Sequence, residues 1–585
     1  MEWSLLTAEK RSFPRGASGL VRSIGPLTAI LVSISVTVGG AWQAHIFFFP
    51  GLSPLPENLW LVGIPPILMS FILVGIAFVV IMLGYTILIS AIPRSGGGYV
   101  AISRIVGSSA AFVATLLEFV SIASTFGVIA VWSFEAWLTV FVKQIFVGPV
   151  IGYSDVGGLA VAVLLMALVT VLCGLGNRVT SYALQALSVV LVPLALYLLF
   201  LLGVAIVNPS TLQSGITLWA QKQGIAGVTA TTYVKGALAQ GMDAANVGNY
   251  WTAVSASLLG AYWCYVGYAA LTFVPGEFKE PDRNLPKVAL VAPLVIMAVY
   301  VVLVAFGTYA AAAVGQITLA NGDKWSFYEA YAYLSYGGGN LQQAGVPNIS
   351  ALAPTIAAMV GTQIGLPSLN ILVLLFLILM YAKDLPALSL IGSRIIFAMS
   401  FDGLLPARFC RVSERFHSPI YANTLVAVFG LIGALSESCV FCNGGSWGTS
   451  GSLGNALTAF FTNSPIYNID LLDAAFFTLF SLAVLLFPLR RRDLFDFAPF
   501  KPGGRLGVAA IGSAGLVANL VIAWLILTSP QDAYNILAPV SANWYALAAT
   551  AIFAIIAVLI YVCYRYGRSG KLIDYGEVFS ELPPE

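Results

Sequence analysis

Ser33-Ile34-Ser35-Val36-Thr37-Val38-Gly39-Gly40-Ala41 and Gly260-Ala261-Tyr262-Trp263-Cys264-Tyr265-Val266-Gly267-Tyr268 are the two places where long apolar runs carry helix-interrupting glycines. The first pair of glycines lies about 15 residues into a run over 25–48, and the second stretch lies at mid-depth of a run over 252–275. Runs of this length match the ~20 apolar residues that a helix needs to cross a bilayer core. In hydrocarbon every backbone N–H and C=O requires a partner, so an opened helix is tolerated only beside protein or a water-filled cavity. Each stretch alone reads either as a close-packing site between helices or as an interruption beside a hollow inside a membrane protein.

The composition agrees with that setting. Of 585 residues 59% are apolar and only 9% charged, where soluble domains carry about 25% charge. Such a chain cannot clothe the surface of a soluble enzyme. A net charge of +2 offers no footprint for nucleic acid. Six cysteines make no disulfide framework; only Cys439 and Cys442 have suggestive spacing, and without further Cys or His nearby no metal site is expected.

Twelve apolar spans are expected, near 25–48, 63–92, 109–142, 156–173, 179–207, 252–275, 288–314, 367–400, 420–438, 471–489, 506–528 and 543–564. The third and eighth are too long to stand upright and are expected to tilt. With both termini cytoplasmic, 22 of the 27 Lys and Arg fall on the inner side, four fall outside, and Lys383 alone falls within a span. This split follows the positive-inside rule. The expected organisation is a cytoplasmic tail (1–24), a first five-helix repeat (25–207), an extracellular connection (208–251), a second five-helix repeat (252–489), two more helices (490–564) and a cytoplasmic tail (565–585). The outer connections 208–251, 315–366 and 439–470 are rich in Gly, Ser, Asn and Tyr, and are read as capping helices or hairpins, or as solvated loops.

The two interrupted spans open successive five-helix blocks and cross in opposite directions. Interruptions at matching positions of such blocks point to an inverted-repeat transporter with its site at the midplane. Freed N–H groups at one half-helix start suit a carboxylate, and freed C=O groups at the other end suit an ammonium or a cation. A zwitterionic amino acid answers both.

Three stretches then carry a family resemblance. They are Ile92-Pro93-Arg94-Ser95-Gly96-Gly97-Gly98-Tyr99, the helix around Trp263 with its following Pro275-Gly276-Glu277-Phe278-Lys279-Glu280-Pro281, and Ser393-Arg394-Ile395-Ile396-Phe397-Ala398-Met399-Ser400-Phe401-Asp402-Gly403. Taken in order, they resemble the amino acid–polyamine–organocation superfamily over about residues 25–490. The resemblance implies an all-α polytopic protein of LeuT-type fold: twelve transmembrane helices, a 5+5 inverted repeat and two C-terminal helices. It also implies an amino-acid permease of the cell membrane working by alternating access, with an amino acid or amine as substrate and no cofactor. Carried over by position, Thr37, Val38, Gly39, Gly40 and Ala41 would hold the carboxylate. Trp263, Cys264, Tyr265 and Gly267 would line the amine and side-chain end, Trp263 covering the substrate. The first span departs from the family's G-S-G type triplet, having only Gly39-Gly40, and Ile87 stands where many members place Glu.

Lys383, Asp384 and Glu118 are read as the intramembrane ionisable groups. Each costs at least ~2.5–3.5 kcal/mol to insert, so a partner or a function is expected. Sodium-driven members of the fold bind an ion between the first and eighth spans. Lys383 is expected to take that ion's place and, exchanging a proton with Asp384 or Glu118, to couple transport to protons rather than sodium. A permanently paired structural lysine is the alternative. At the inner surface Glu277, Lys279, Glu280, Asp282 and Arg283 are expected to pair with Arg94, Arg104 or Arg394 as a surface latch worth about 0–1 kcal/mol per pair, or else to form a solvated loop with no gating role. Competing readings are a transporter-like solute sensor, a passive channel or exchanger, and a membrane-embedded enzyme. Two His in the chain and no clustered carboxylates speak against the last.

Overall fold

The structure is a computed structural model and describes residues 18–22, 24–38, 54–135, 155–267, 269–349, 352–438, 440–441, 446–447, 469–528, 540–567 and 573–583. Helix occupies part of every expected span. The helices, in chain order, are α1 (Pro26–Thr37), α2 (Pro66–Ala91), α3 (Gly97–Ile105), α4 (Ser108–Glu135), α5 (Asp155–Gly174), α6 (Asn177–Val207), α7 (Pro209–Lys222), α8 (Ala230–Ala239), α9 (Tyr250–Tyr265) and α10 (Pro281–Ala312). They continue as α11 (Phe327–Tyr336), α12 (Leu352–Gln363), α13 (Asn370–Ala382), α14 (Asp384–Phe401), α15 (Ile420–Glu437), α16 (Ile469–Arg490), α17 (Arg492–Asp496), α18 (Gly504–Thr528), α19 (Val540–Tyr566) and α20 (Tyr575–Ser580). Among the described residues nine helical spans are long and apolar enough to cross a membrane, with α13 and α14 forming one of them. The outward sides of these helices are what lipid requires: Val189, Leu196 and Phe200 of α6 are each more than half exposed.

Two packing groups organise the bundle. In one, α2 lies against α9 and α10, and α1 lies against α10. In the other, α4 lies against α5, α14 and α15. Between them α16 touches both α2 and α4. Small residues bring α4 and α15 together: a Cβ on Gly127 would stand 1.8 Å from the Gly430 carbonyl, and one on Gly433 would stand 1.9 Å from the Ser124 carbonyl.

The connections 208–251 and 315–366 hold α7, α8, α11, α12 and a two-stranded hairpin, β1 (Ile317–Thr318) with β2 (Lys324–Trp325). Most of 439–470, with Cys439 and Cys442, lies outside the described residues. The chain's two ends share one face, called here the terminal face: Ile24 pairs with Phe278, and Pro583 reaches Arg94.

One element was not legible beforehand. The stretch after Pro93, expected as a tight turn, is the nine-residue helix α3, buried along its whole length. Of its glycines only Gly96 is left-handed, at φ 80°. Gly97 is required for another reason: its Cβ would lie 1.8 Å from the Thr272 carbonyl. The glycine run thus serves close approach more than turning.

Candidate functional site

Both interrupted helices stop where the glycine stretches begin. α1 ends at Thr37, and Val38 turns out of helix at ψ 72°. α9 ends at Tyr265, Gly267 adopts φ 98°, and the chain resumes only as 3-10 turns over Ala270–Phe273 and Pro275–Glu277. Gly39, Gly40 and Ala41 lie outside the described residues, as does the side chain of Trp263.

A single side chain meets both endings. Tyr300 of α10, fully buried, has its hydroxyl 2.5 Å from the Thr37 carbonyl and in contact with the Cys264 carbonyl. Two helix C-termini therefore converge on one point, and their dipoles make it electronegative. Around it Tyr300, Tyr265, Phe71 and Phe78 form a ring cluster with centroids 4.9–6.1 Å apart. Tyr265 donates its hydroxyl to the Phe71 carbonyl at 3.1 Å, so its polar end is directed to α2. Thr37 donates to the Ser33 carbonyl at 2.9 Å. Thr37, Val38, Cys264 and Tyr265 are all buried. Tyr300 was missed in the sequence; its signal was a lone hydroxyl in Val299-Tyr300-Val301.

The eighth span is divided at its charges. Lys383 separates α13 from α14, and Pro386 withholds the N–H that would continue the ladder. Lys383 Nζ donates to Asp384 Oδ1 at 3.1 Å, both groups buried. Lys383 also borders a cavity of about 460 Å³, otherwise almost wholly apolar, that it shares with Leu31 and Ile34 of α1, Val38 just past it, and Phe376 and Met380 of α13. Lys383 is thus set against the end of α1. Glu118 is elsewhere: it is buried in α4, which packs against α16, and on α16 the buried Asp473 accepts from Tyr262 of α9 at 2.7 Å through Oδ2. Asp473 was overlooked because it falls near the start of its span, where a carboxylate ordinarily reaches water.

At the terminal face the charges are inside the protein. Arg394 donates through Nε to Glu277 Oε1 at 2.6 Å and through its second nitrogen to Oε2 at 3.2 Å, and neither side chain is more than 1% exposed. The expected surface latch is therefore a buried, bidentate pair. Its loop is drawn inward because Ile24 pairs its backbone with Glu277 and Lys279. Arg104 pairs with Asp402, at 2.8 Å for one of two bonds, and not with the loop acids. It also donates to the carbonyls of Val578 and Glu581 at the chain's end. Arg94 donates to the Pro583 carbonyl at 2.7 Å. Arg283 is exposed and has no ion-pair partner among the described residues. No group of three or more His, Cys, Asp or Glu able to hold a metal occurs among the described residues.

A family model described as amino acid permease matches residues 24–490. Among solved structures, the chain is similar to one titled "Crystal structure of MhsT in complex with L-phenylalanine", at 15% identity over 86% of this chain and 99% of that one, with a TM-score of 0.47. No curated protein sequence matches the chain.

Proposed function

Because the chain belongs to the amino acid permease family, we propose that it is a secondary active transporter for an amino acid or a related amine-bearing solute, working by alternating access and driven by protons. The observation that carries this reading is the convergence of the α1 and α9 C-termini on Tyr300. Two negative dipole ends at one buried point attract an ammonium. A carboxylate would take the N–H groups of Gly39, Gly40 and Ala41, with Trp263 covering the substrate. Alternating access needs closures that can open, and the Glu277–Arg394 and Arg104–Asp402 pairs supply the closed state of the terminal face. This face is taken as cytoplasmic, in the cell membrane.

Lys383 supports proton over sodium drive. Its ammonium occupies the region between the first and eighth spans where a sodium ion would otherwise be needed, and protons exchanged among Lys383, Asp384 and Glu118 would carry the coupling. Uptake of labelled L-amino acids into proteoliposomes under imposed pH and sodium gradients tests both parts. Accumulation driven by the pH gradient alone is expected. A sodium requirement in the protein with Lys383 intact would end the substitution idea, and no flux of any amino acid or amine would end the transporter reading.

A further inference from the structure

Residues 573–583 lie back on the terminal face and complete an ion pair there. A guanidinium has five N–H donors, and Arg104 uses all of them. Two go to Asp402 and one to Ser103 at 2.7 Å. The other two go to the C-terminal segment, to the Val578 carbonyl at 3.2 Å and the Glu581 carbonyl at 3.3 Å. Arg94 adds a bond from Nε to the Pro583 carbonyl at 2.7 Å. Side chains strengthen this seat. Val578 is fully buried, and the Phe579 ring lies against the guanidinium groups of Arg104 and Arg565, at 5.3 and 5.6 Å. The Tyr575 hydroxyl stands 2.9 Å from the Gly403 carbonyl, just past α14, and 3.1 Å from the Tyr564 carbonyl of α19.

The segment crosses between the two packing groups. It follows α19, which packs on α4. At its far end the buried Pro583 lines a small cavity, with Arg94 and Ser95 just past α2 on one side and Phe397 and Phe401 of α14 on the other. α2 belongs with α9 and α10, and α14 belongs with α4. For the groups to part at this face, Pro583 has to leave the place between them and the bonds to Arg94 and Arg104 have to break. The segment's only helix, α20, is six residues long. A short element held by so few contacts opens locally, without the rest of the fold.

We propose that residues 573–583 are a strap that keeps the terminal face shut and lifts for it to open. This rests on the alternating-access reading above and adds a brake to it. The strap's partners stand together only in the closed state, so its contacts stabilise that state alone and lower the open population. The site at Tyr300 is then reached less often from this face. How far a solute accumulates is set by the driving gradient, and the strap leaves that unchanged.

The native thiol of Cys264, 1% exposed near the end of α9, reports the opening. The full chain in detergent is treated with a water-soluble maleimide, and peptide masses give the alkylation rate of Cys264. Cys173 of α5, buried against α14, is the control for unfolding. Val578→Asp puts a charge at a fully buried position and is expected to speed Cys264 at least about tenfold, the factor of one hydrogen bond to a charged group, with Cys173 unchanged. Phe579→Ala shifts the rate the same way and decides if Val578→Asp fails to fold. An unchanged Cys264 rate, or an equal rise at Cys173, overturns the strap. Uptake of a mixture of labelled L-amino acids by the same proteins in proteoliposomes separates the strap from the transport reading. Faster initial uptake to the same final ratio is expected. Faster alkylation without faster uptake, where the wild type does transport, overturns the brake. Faster alkylation with no uptake by any of the proteins supports the strap and overturns the transporter reading.

Discussion

Replacing Glu277 by Gln asks what the terminal face gains from its buried charges. The carboxylate receives two N–H bonds from Arg394, at 2.6 and 3.2 Å, in a site where neither partner exceeds 1% exposure. Gln keeps the size and one acceptor but leaves the guanidinium charge uncompensated. A surface pair so treated loses ~0–1 kcal/mol, whereas breaking a buried pair by removing one partner costs ~3–5 kcal/mol. The burial places Glu277→Gln in the second range. Replacing both residues by Met removes the stranded charge and is expected to recover most of the loss, because well-packed apolar substitutes for buried pairs are often neutral or better. Unfolding in a denaturing detergent series, followed by helical circular dichroism, ranks the wild type, Glu277→Gln and the double Met variant. A loss below ~1 kcal/mol for Glu277→Gln, or a double variant no more stable than the single one, would refute the reasoning.

Other outcomes can be checked on the same preparations. Gly97→Ala sets a methyl 1.8 Å from the Thr272 carbonyl and is expected at or beyond the top of the ~1–3 kcal/mol overpacking range. Gly25→Ala, with nothing within 4 Å, should stay within ~0.5 kcal/mol; equal melting of the two would disprove the close-approach account. Tyr300→Phe removes the hydroxyl shared by Thr37 and Cys264 and should weaken amino-acid binding by about 1–3 kcal/mol, roughly 5–150-fold, in calorimetric titration. Unchanged affinity would remove Tyr300 from the site. In the connection holding α11, burial pushes the Glu329 carboxyl from 4.5 up to about 8, opposed by its bonds to Ser326 and aided by Glu57. The folded chain then keeps a proton that the unfolded chain releases, so this stability is full below 4.5 and is lost as pH rises toward about 8. Glu329→Gln should melt closer to its acid value at about pH 9 than the wild type does; identical pH slopes would contradict this.

Much of the architecture could be read from length and charge alone. Spans such as 63–92 and 179–207 are bounded by lipid thickness, and the structure places α2 and α6 over Pro66–Ala91 and Asn177–Val207. The glycine stretches gave the ends of α1 and α9 because a left-handed Gly267 and a non-helical Val38 are local backbone facts. Partners far apart in the chain were not legible. Glu277 with Arg394 was within the expected set, but Arg104 with Asp402, Asp473 with Tyr262, and Tyr300 with two carbonyls depend on which faces meet. Periodicity cannot supply that in helices apolar on every side. Burial of the terminal-face pairs was also hidden, since a charged loop looks the same whether solvated or drawn inward by Ile24.

Arg104 has a long wait during synthesis. Asp402 follows it by 298 residues, and the carbonyl of Val578 follows it by 474. At ribosomal speeds of ~5–20 residues per second the first interval alone lasts roughly 15–60 s. Throughout that time the guanidinium must remain hydrated, so α3 cannot seat itself in the nascent bundle. The order of manufacture thereby leaves this corner of the molecule to be sealed late, and a chain stalled after α12 would hold Arg104, buried in the finished protein, still facing water.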